Sequence, residues 1–301
     1  MLITVAICTW NRCELLRQAL EQMTRLVIPS GMDWEILVVN NNCTDATDEV
    51  IAAFESRLPI RRLFEQKPGQ SNARNAAVRE ARGKYILWTD DDVLVDEQWV
   101  AAYVTAFEQW PEAAFFGGLI RPWFAVPPPA WLERTWPIVA GAYATRDLGC
   151  QPVRFDGIGN IFFGANYVVR SAEQRRYCYD PQLGLRPGGN LRGDELEVLN
   201  ALLADGYQGW WVPEASVSHY IPRERMTVRY IRKFYFGYGE YVAMREPSWH
   251  GPMLFGKPRW LWRYAMRVEA RYRRHRLTSS PEVWMKYLID AGTVWGRLLT
   301  K

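Results

Sequence analysis

The sequence has few of the features that mark disulfide-stabilised, zinc-binding or membrane-spanning proteins. Its 301 residues include five cysteines. Their number is odd and no Cys-x-x-Cys pair occurs, which argues against a disulfide framework or a zinc ribbon and favours a reducing compartment. No uncharged apolar stretch approaches the ~18 residues of a membrane span. Residues 1–7 form a short apolar run without a basic lead or a cleavage site, which predicts a first strand rather than a signal peptide.

Two phosphate-binding motifs are also missing. The first apolar run leads into Thr9-Trp10-Asn11-Arg12 instead of G-x-G-x-x-G, and no G-x-x-x-x-G-K-[ST] loop is present. These absences argue against a nicotinamide dehydrogenase and a phosphate-loop enzyme. The Gly-rich basic loop of nucleotidyltransferases is missing as well, although those enzymes share this kind of sheet and also use metal-bound aspartates.

The first ninety residues alternate between strand and helix patterns. Apolar runs predict strands at 4–8, 35–39, 60–64 and 85–88, and helical spacing predicts helices at 13–23, 45–54 and 71–82. Later segments predict helices at 97–109 and 194–204, strands at 113–120 and 160–170, and a loop that includes the prolines at 127–129. This alternation is typical of an α/β fold with a mostly parallel sheet covered by helices, and any doubly wound fold satisfies it.

Polar side chains follow each of the first four predicted strands. Ligands of open α/β sheets bind at the carboxyl ends of the strands, so four polar ends predict one polar cleft. The residues at these ends are Thr9, Asn11 and Arg12, then Asn40, Asn41 and Asn42, then Glu65, and finally Asp90, Asp91 and Asp92.

The three consecutive aspartates at the fourth strand end are costly unless their charge is neutralised. Mutual repulsion raises the pKa of neighbouring carboxyls. A divalent cation such as Mg²⁺ or Mn²⁺ removes this repulsion and would in turn bind a diphosphate. The alternative is a solvated acidic turn before the helix that starts near Asp96, and the position at a strand end favours the site.

Four stretches resemble successive motifs of the family 2 glycosyltransferases in both order and spacing. They are VAICTWNR at 5–12, ILVVNNNCTD at 36–45, GQSNARN at 69–75 and GKYILWTDDD at 83–92. The resemblance continues through 164–166 and 193–197 and ends near 212–219, so it covers about the first 220 residues. It implies a GT-A fold with a catalytic domain at 1–220, divided into a nucleotide-binding half, 1–92, and an acceptor and catalytic half, 93–220. It also implies inverting transfer from a nucleotide-sugar donor.

The resemblance implies roles for individual residues. Thr9, Asn11 and Arg12 would line the nucleotide pocket, Asn40 and Asn42 would hold the base or ribose, Glu65 would support that pocket, Arg74 would lie close to the nucleotide, Asp90 and Asp91 would bind the donor, and Asp92 would bind the metal. Asn40 is a departure, because the family usually has Asp there. An Asn carbonyl still accepts a hydrogen bond from a pyrimidine N–H, so a UDP-sugar remains the expected donor.

The resemblance also implies where the catalytic base lies. Inverting transfer needs a carboxylate that takes the proton of the acceptor hydroxyl. Glu195 occupies the base position, with Asp194 beside it as the second candidate; the alternative is two acidic residues that only compensate the helix macrodipole. His219 lies where relatives often have a histidine near the metal, but a lone histidine is as often structural.

The residues from 221 onward carry most of the positive charge. They contain 17 Lys and Arg against 6 Asp and Glu, and Arg259, Arg263, Arg267, Arg271 and Arg274 form a helical stripe. We expect 221–301 to be a helical extension that contacts an anionic membrane rather than nucleic acid, the alternative being a helical pair packed on the catalytic domain.

These features together predict a cytoplasmic hexosyltransferase, peripheral on the inner face of the cell membrane, that uses Mn²⁺ or Mg²⁺. The acceptor would be a glycan or a lipid-linked saccharide. A non-catalytic nucleotide-sugar-binding module and a GT-A-like nucleotidyltransferase are the alternative functions.

Overall fold

The computed structural model describes residues 2–155, 164–185, 193–245 and 249–300. The described residues form two compact units. The first contains 2–123, 144–155, 164–185 and 193–220, and the second contains 124–143, 221–245 and 249–300. Residues 124–143, which the sequence analysis placed in the catalytic half, therefore group with the tail, and the domain boundaries stay a prediction.

Strands and helices alternate from the first residue described to Gln109. They are β1 (Leu2–Thr9), α1 (Cys13–Met23), β2 (Asp33–Asn40), α2 (Thr47–Phe54), β3 (Ile60–Phe64), α3 (Gln70–Glu80), β4 (Tyr85–Asp90), β5 (Val93–Val95) and α4 (Trp99–Gln109). The helix predicted at 45–54 begins at Thr47, because the Asp45 carboxylate accepts hydrogen bonds from the Thr47 amide and hydroxyl ahead of its first turn.

The middle of the chain contains shorter elements and one long strand. They are β6 (Phe115–Phe124), α5 (Ala130–Val139), β7 (Val153–Phe155), β8 (Tyr167–Arg170), α6 (Ser171–Gln174), α7 (Asp194–Ala204) and β9 (Gly209–Ile221). The loop predicted to include the prolines at 127–129 ends with them, because Pro129 directly precedes a ten-residue helix, a position that proline tolerates. The strand predicted at 160–170 is present from Tyr167, and residues 160–163 lie outside the described residues.

A central sheet organises the first unit. Its strand order over the described residues is β3-β2-β1-β4-β8-β6-β9-β5, with β7 paired to β9. The first four strands in this order pair in parallel, whereas β4–β8, β6–β8, β5–β9 and β7–β9 are antiparallel. The predicted α/β sheet flanked by helices is confirmed, and its parallel pairing is shown between β3, β2, β1 and β4.

The parallel strands are buried on both faces. In β1, Val5 and Ile7 belong to one hydrophobic cluster and Ala6 to the other, and β4 alternates likewise, with Leu87 in the first cluster and Trp88 in the second. The first cluster includes residues of α1, α2 and α4, and the second includes residues of α3 and α7. This alternation explains why the strands read as continuous apolar runs.

The second unit is mainly helical. After α5 it contains α8 (Val228–Arg245), a short hairpin of β10 (Met253–Leu254) and β11 (Lys257–Pro258), α9 (Arg259–Thr278) and α10 (Pro281–Leu299). Trp284 and Leu288 of α10 pack with Leu132 of α5 and Ile231 of α8 in its core. No helix within the described residues is both long and apolar enough to cross a membrane.

Candidate active site

The register of the parallel strands brings the predicted polar ends together at one edge of the sheet. Thr9 pairs with Asn40, Asn40 pairs with Phe64, and Cys8 pairs with Asp90. Because these strands all run in the same direction, the residues that follow them leave the sheet at the same edge. The structure therefore places Arg12, Glu65 and the three aspartates at the carboxyl end of the sheet.

The carboxylates of Asp91 and Asp92 both bind the Arg12 guanidinium at this edge of the sheet. Arg12 Nη1 lies 2.9 Å from Asp91 Oδ1 and 2.9 Å from Asp92 Oδ2, and the Thr9 hydroxyl donates to Asp91 Oδ2 over 2.8 Å. Burial raises the pKa of Asp91 to about 6, although Arg12 opposes the shift. The adjacent aspartates, Asp91 first, raise the pKa of Arg12 in turn. A largely buried ion-pair network thus replaces the solvated acidic turn.

Asp92 faces His219 across two antiparallel strands. His219 lies on β9 opposite Val93, and its Nε2 is 3.5 Å from Asp92 Oδ1; both side chains are buried. Carboxylate oxygen and imidazole nitrogen are both metal ligands, and oxygen donors suit Mg²⁺ and Mn²⁺. Among the described residues no group of three or more His, Cys, Asp or Glu side chains is arranged to hold a metal ion. The pair supplies two ligand groups, and the metal role of Asp92 and His219 stays a prediction.

Arg74 connects the third aspartate to the predicted catalytic pair. Its guanidinium is buried on α3; Nη1 lies 2.7 Å from Asp194 Oδ2 and 3.4 Å from Glu195 Oε2, and Nη2 lies 3.8 Å from Asp90 Oδ1. Gly164 makes room for it, because a Cβ there would come within 2.4 Å of Arg74 Nη2. Asp90 at the end of β4 and the first turn of α7 thus both lie beside the buried guanidinium of Arg74.

The two carboxyls of the catalytic pair have opposite pKa shifts. Burial opposes ionisation of Asp194, but the contact with Arg74 outweighs it and holds the pKa below the ordinary value. Burial, and next the charge of Asp194, raise the pKa of Glu195 to about 7. The Glu195 side chain is 20% exposed, against 3% for Asp194. Of the two, Glu195 is the one with solvent access and a proton affinity suited to exchange near neutral pH.

The three asparagines at 40–42, at the end of β2, make hydrogen bonds within the protein that stabilise the loop after this strand. Asn40 is buried; its Nδ2 donates to Asp48 over 2.7 Å and its Oδ1 accepts from the Cys43 amide over 2.8 Å. Asn41, to which the sequence analysis gave no role, donates to the carbonyls of Glu65 and Lys67. Because the Asn40 amide serves the protein itself, its part in base recognition stays a prediction.

Two asparagines at the edge of the cleft adopt the left-handed backbone conformation. Asn11 has φ 52° and Asn42 has φ 66°. The Thr44 amide donates to Asn11 Oδ1 over 2.7 Å, and Asn42 Nδ2 donates to the Gln66 carbonyl over 2.6 Å. Asparagine tolerates this conformation better than most residues, and such positions concentrate at functional sites. Both backbones are thus fixed while their residues remain exposed.

Glu65, at the end of the third strand, is held by its neighbours. Its Oε1 accepts from the Lys67 amide over 2.8 Å and its Oε2 lies 3.4 Å from Arg79 Nη2.

Tyr179 is a site residue that was not predicted from the sequence. Its ring centroid lies 5.5 Å from the Arg74 guanidinium carbon, and its hydroxyl is hydrogen-bonded to that of Tyr167. A tyrosine carries no pattern that would identify it as a partner of Arg74.

Sequence comparison identifies a family for more than half of the chain. The model of glycosyl transferase family 2 matches residues 4–160. The validoxylamine A glucosyltransferase of Streptomyces hygroscopicus subsp. jinggangensis is 32% identical over 107 residues, which are 35% of this chain and 25% of that protein. The succinoglycan biosynthesis protein ExoM of Rhizobium meliloti is 22% identical over 79% of this chain and 73% of its own length. The chain thus spans about a quarter of the length of the first relative.

Solved structures support the fold. The mannosyltransferase PcManGT of Pyrobaculum calidifontis, in complex with GDP-Man and Mn²⁺, has a TM-score of 0.60 at 16% identity and covers 97% of this chain and 87% of its own. TarS 1–349 of S. aureus, in complex with UDP-GlcNAc, has a TM-score of 0.52 at 15% identity and covers 92% of this chain and 73% of its own. At these identities the likeness concerns the fold alone.

Proposed function

The chain belongs to glycosyl transferase family 2, and from that premise we propose that it transfers a hexose from a nucleoside diphosphate donor to a hydroxyl acceptor with inversion. The observation that carries this proposal is the chain of contacts from Asp92 and His219 through Arg12 to Asp91, and from Asp90 through Arg74 to Glu195. It sets residues suited to a diphosphate beside a carboxyl suited to take a proton.

The donor would lie over the carboxyl ends of β1 to β4. The nucleoside contacts the loops after β1 and β2, where Asn11 and Asn42 are exposed, and Asp90 contacts the ribose or the sugar. A UDP-sugar is the donor proposed. The donors in the two structural relatives, UDP-GlcNAc and GDP-Man, differ in base and sugar. The base preference of this protein is therefore tested by the donor screen described below.

The chemical step uses Glu195 as the general base. Its carboxylate accepts the proton of the acceptor hydroxyl while that oxygen attacks the anomeric carbon, and the bond to the nucleoside diphosphate breaks in the same displacement. Asp194 stays ionised against Arg74 and lies too deep to meet the acceptor. Arg74 is a positioning residue, because it holds Asp90 and Glu195 on one guanidinium.

Asp92 and His219 would hold a divalent cation, Mn²⁺ or Mg²⁺. When bound, the cation neutralises the negative charge of the leaving diphosphate. An imidazole nitrogen in the ligand set makes Mn²⁺ a better match than Mg²⁺, which strongly prefers oxygen. Arg12 already neutralises part of the Asp91–Asp92 charge, so the site needs the donor phosphates as further ligands.

The acceptor proposed is a glycan or lipid-linked saccharide of a surface polysaccharide. Residues 221–301 would bring the enzyme to an anionic membrane that carries such an acceptor. The charge of the tail and the kind of product named for ExoM support this proposal.

A thermal-shift screen of UDP-, GDP- and dTDP-sugars with and without Mn²⁺ tests donor binding. We expect a Mn²⁺-dependent stabilisation by at least one donor. Glu195→Gln should keep that stabilisation and lose transfer by a factor of about 10²–10⁴. Asp194→Gln serves as the comparison that distinguishes the two carboxyls. Normal turnover by Glu195→Gln refutes the base assignment, and donor binding without hydrolysis or transfer by the wild type favours a non-catalytic module.

A further inference from the structure

The β10–β11 hairpin of the second unit presents apolar side chains to solvent. Its two connecting residues, Phe255 and Gly256, have φ of 50° and 75°. Phe255 is 85% exposed, Met253 45% and Leu254 40%. Three consecutive apolar residues thus protrude at one turn, and isolated exposed apolar residues are ordinary whereas a contiguous exposed group marks an interaction surface.

Folding does not account for a phenylalanine at this turn. Two consecutive positive φ angles are typical of the type I′ turn, which favours Asn-Gly because most side chains are strained in the left-handed conformation. The Phe255 ring meets the Trp262 ring edge to face at 5.9 Å between centroids, yet most of its surface stays in water. The chain itself therefore gains little from this aromatic ring.

The hairpin is held firmly on the start of α9. The Trp262 indole Nε1 donates to the Leu254 carbonyl over 2.8 Å, and the Arg259 amide donates to the Pro252 carbonyl over 2.8 Å. These bonds tie both the first strand of the hairpin and the residue before it to the helix. The exposed tip is therefore a fixed projection.

The exposed face of α9 carries only positive charge. Its buried positions, Leu261, Ala265, Val268 and Glu269, lie on one side of the helix. Glu269 is the only acidic residue in the helix sequence, and it is bound to Arg232 at 2.7 Å and to Arg273 at 3.1 Å. The opposite side presents Arg263, Arg267, Arg271 and Arg274 together with Trp260, which is 49% exposed, and Met266, which is 62% exposed.

We infer that the β10–β11 hairpin and the exposed face of α9 form an interfacial anchor for an anionic bilayer, with Met253, Leu254 and Phe255 inserted below the headgroups. Arginines on such a face bind anionic headgroups, and exposed aromatic and aliphatic side chains leave water for the acyl boundary. This inference rests on the proposed membrane contact of residues 221–301 and does not depend on the transfer reaction.

The apolar tip favours a bilayer over nucleic acid. Arginine and tryptophan serve both partners, because bases stack on aromatic rings and phosphates attract cations. Met253, Leu254 and Met266 have no hydrogen-bonding group to offer a base. An acyl environment removes all of these apolar side chains from water together.

Co-sedimentation of the full chain with vesicles tests the tip. Vesicles of phosphatidylcholine alone are compared with vesicles that also contain phosphatidylglycerol. We expect binding to the anionic vesicles, reduced about tenfold by Phe255→Asn. The same substitution relieves the turn, so the melting temperature should hold or rise by roughly 2 °C. Val27→Asn, at a 43% exposed valine of the first unit, is the matched control and should bind like the wild type.

A charge-matched comparison tests the helix face. Replacing Arg263, Arg267 and Arg271 with Gln should lower binding to anionic vesicles by on the order of a hundredfold. The control replaces Arg17, Arg25 and Arg57 of the first unit with Gln, which gives the same net charge. Wild-type-like binding by Phe255→Asn, equal losses for the two arginine triples, or binding to single-stranded DNA with none to anionic vesicles overturns the inference. Donor hydrolysis without vesicles is scored separately, so failure of the transfer proposal is distinguishable.

Discussion

Replacing Arg74 with methionine removes the cation on which the two parts of the candidate site meet. Methionine keeps much of the side-chain length and apolar stem but leaves Asp194 and Glu195 without their guanidinium. Asp90, 3.8 Å away, loses part of its neutralisation too. The folded protein then has to hold these carboxylates with no cation between them.

The magnitude follows from burial. Both Arg74 and Asp194 have side chains that are 3% exposed, and removal of one partner from a buried pair costs about 3–5 kcal/mol because the other charge stays desolvated. The exposed pair Arg57–Glu21 has the same 2.7 Å separation, with side chains 46% and 48% exposed. Arg57→Met is therefore the matched control, and it should destabilise the protein far less, since water screens the remaining charge.

The loss of stability caused by Arg74→Met should depend on pH. In the wild type the pKa of Asp194 is lowered, so its ionised form contributes stability above the pKa of the unfolded chain, and this is lost as the pH falls through the folded pKa. Without Arg74, only the hydrogen bonds from Glu195 and the backbone oppose burial, so the pKa of Asp194 should rise above the unfolded value. The variant is then more stable when Asp194 is protonated. The difference in the free energy of unfolding between wild type and variant should therefore narrow from pH 8 to pH 5.

Urea unfolding of wild type, Arg74→Met and Arg57→Met, followed by circular dichroism at pH 5 and pH 8, measures this difference. Equal losses for the two variants would show that the buried pair behaves as a surface pair. A gap that stays constant or widens at pH 5 would show that buried carboxylates do not dominate the cost. Either result refutes the reasoning.

Three further predictions concern single carboxyl groups. Because burial raises the pKa of Glu195 from its ordinary value of 4.5 to about 7 in the folded protein, the wild type should lose stability as the pH rises from 4.5 to 7. Glu195→Gln should escape the loss and gain on the order of 2 kcal/mol by pH 8 in urea unfolding. Asp92→Asn should raise the Mn²⁺ concentration needed for donor-induced thermal stabilisation at least about tenfold, with Asp96→Asn unchanged. Asn40→Asp would place a second carboxylate 2.7 Å from that of Asp48. Thermal unfolding should then show a stability about 2 kcal/mol lower than that of the wild type at pH 7, with a smaller difference at pH 4.

The strands and the edge where their polar ends meet were predictable from local patterns. Continuous apolar runs mark strands that are buried on both faces, as in β1 and β4, and parallel pairing then forces Thr9, Asn40 and Asp90 to one edge. No long-range contact is needed for this inference. The predicted boundaries of α1, β3 and α7 also agree with the structure.

The partners within the site were not predictable, because they come from distant parts of the chain. Arg74 on α3 meets Asp194, which lies 120 positions later on α7, and His219 reaches Asp92 only through the pairing of β9 with β5. Neither pairing follows from periodicity. The exposed turn at Phe255 was missed for another reason: its residues contradict the Asn-Gly preference by which such turns are recognised.

The three consecutive aspartates do not act as one acidic cluster. Arg12 binds Asp91 and Asp92, Arg74 lies beside Asp90, and only Asp92 also faces a histidine. Arg12 thus shares one positive charge between Asp91 and Asp92, and a metal bound here would have one carboxylate and one imidazole from this group as ligands. Such a site holds a hard cation weakly until phosphate oxygens complete its coordination. Metal and donor should therefore bind cooperatively, and the two arginines oppose the rise in the pKa of Asp90 and Asp91 that burial causes.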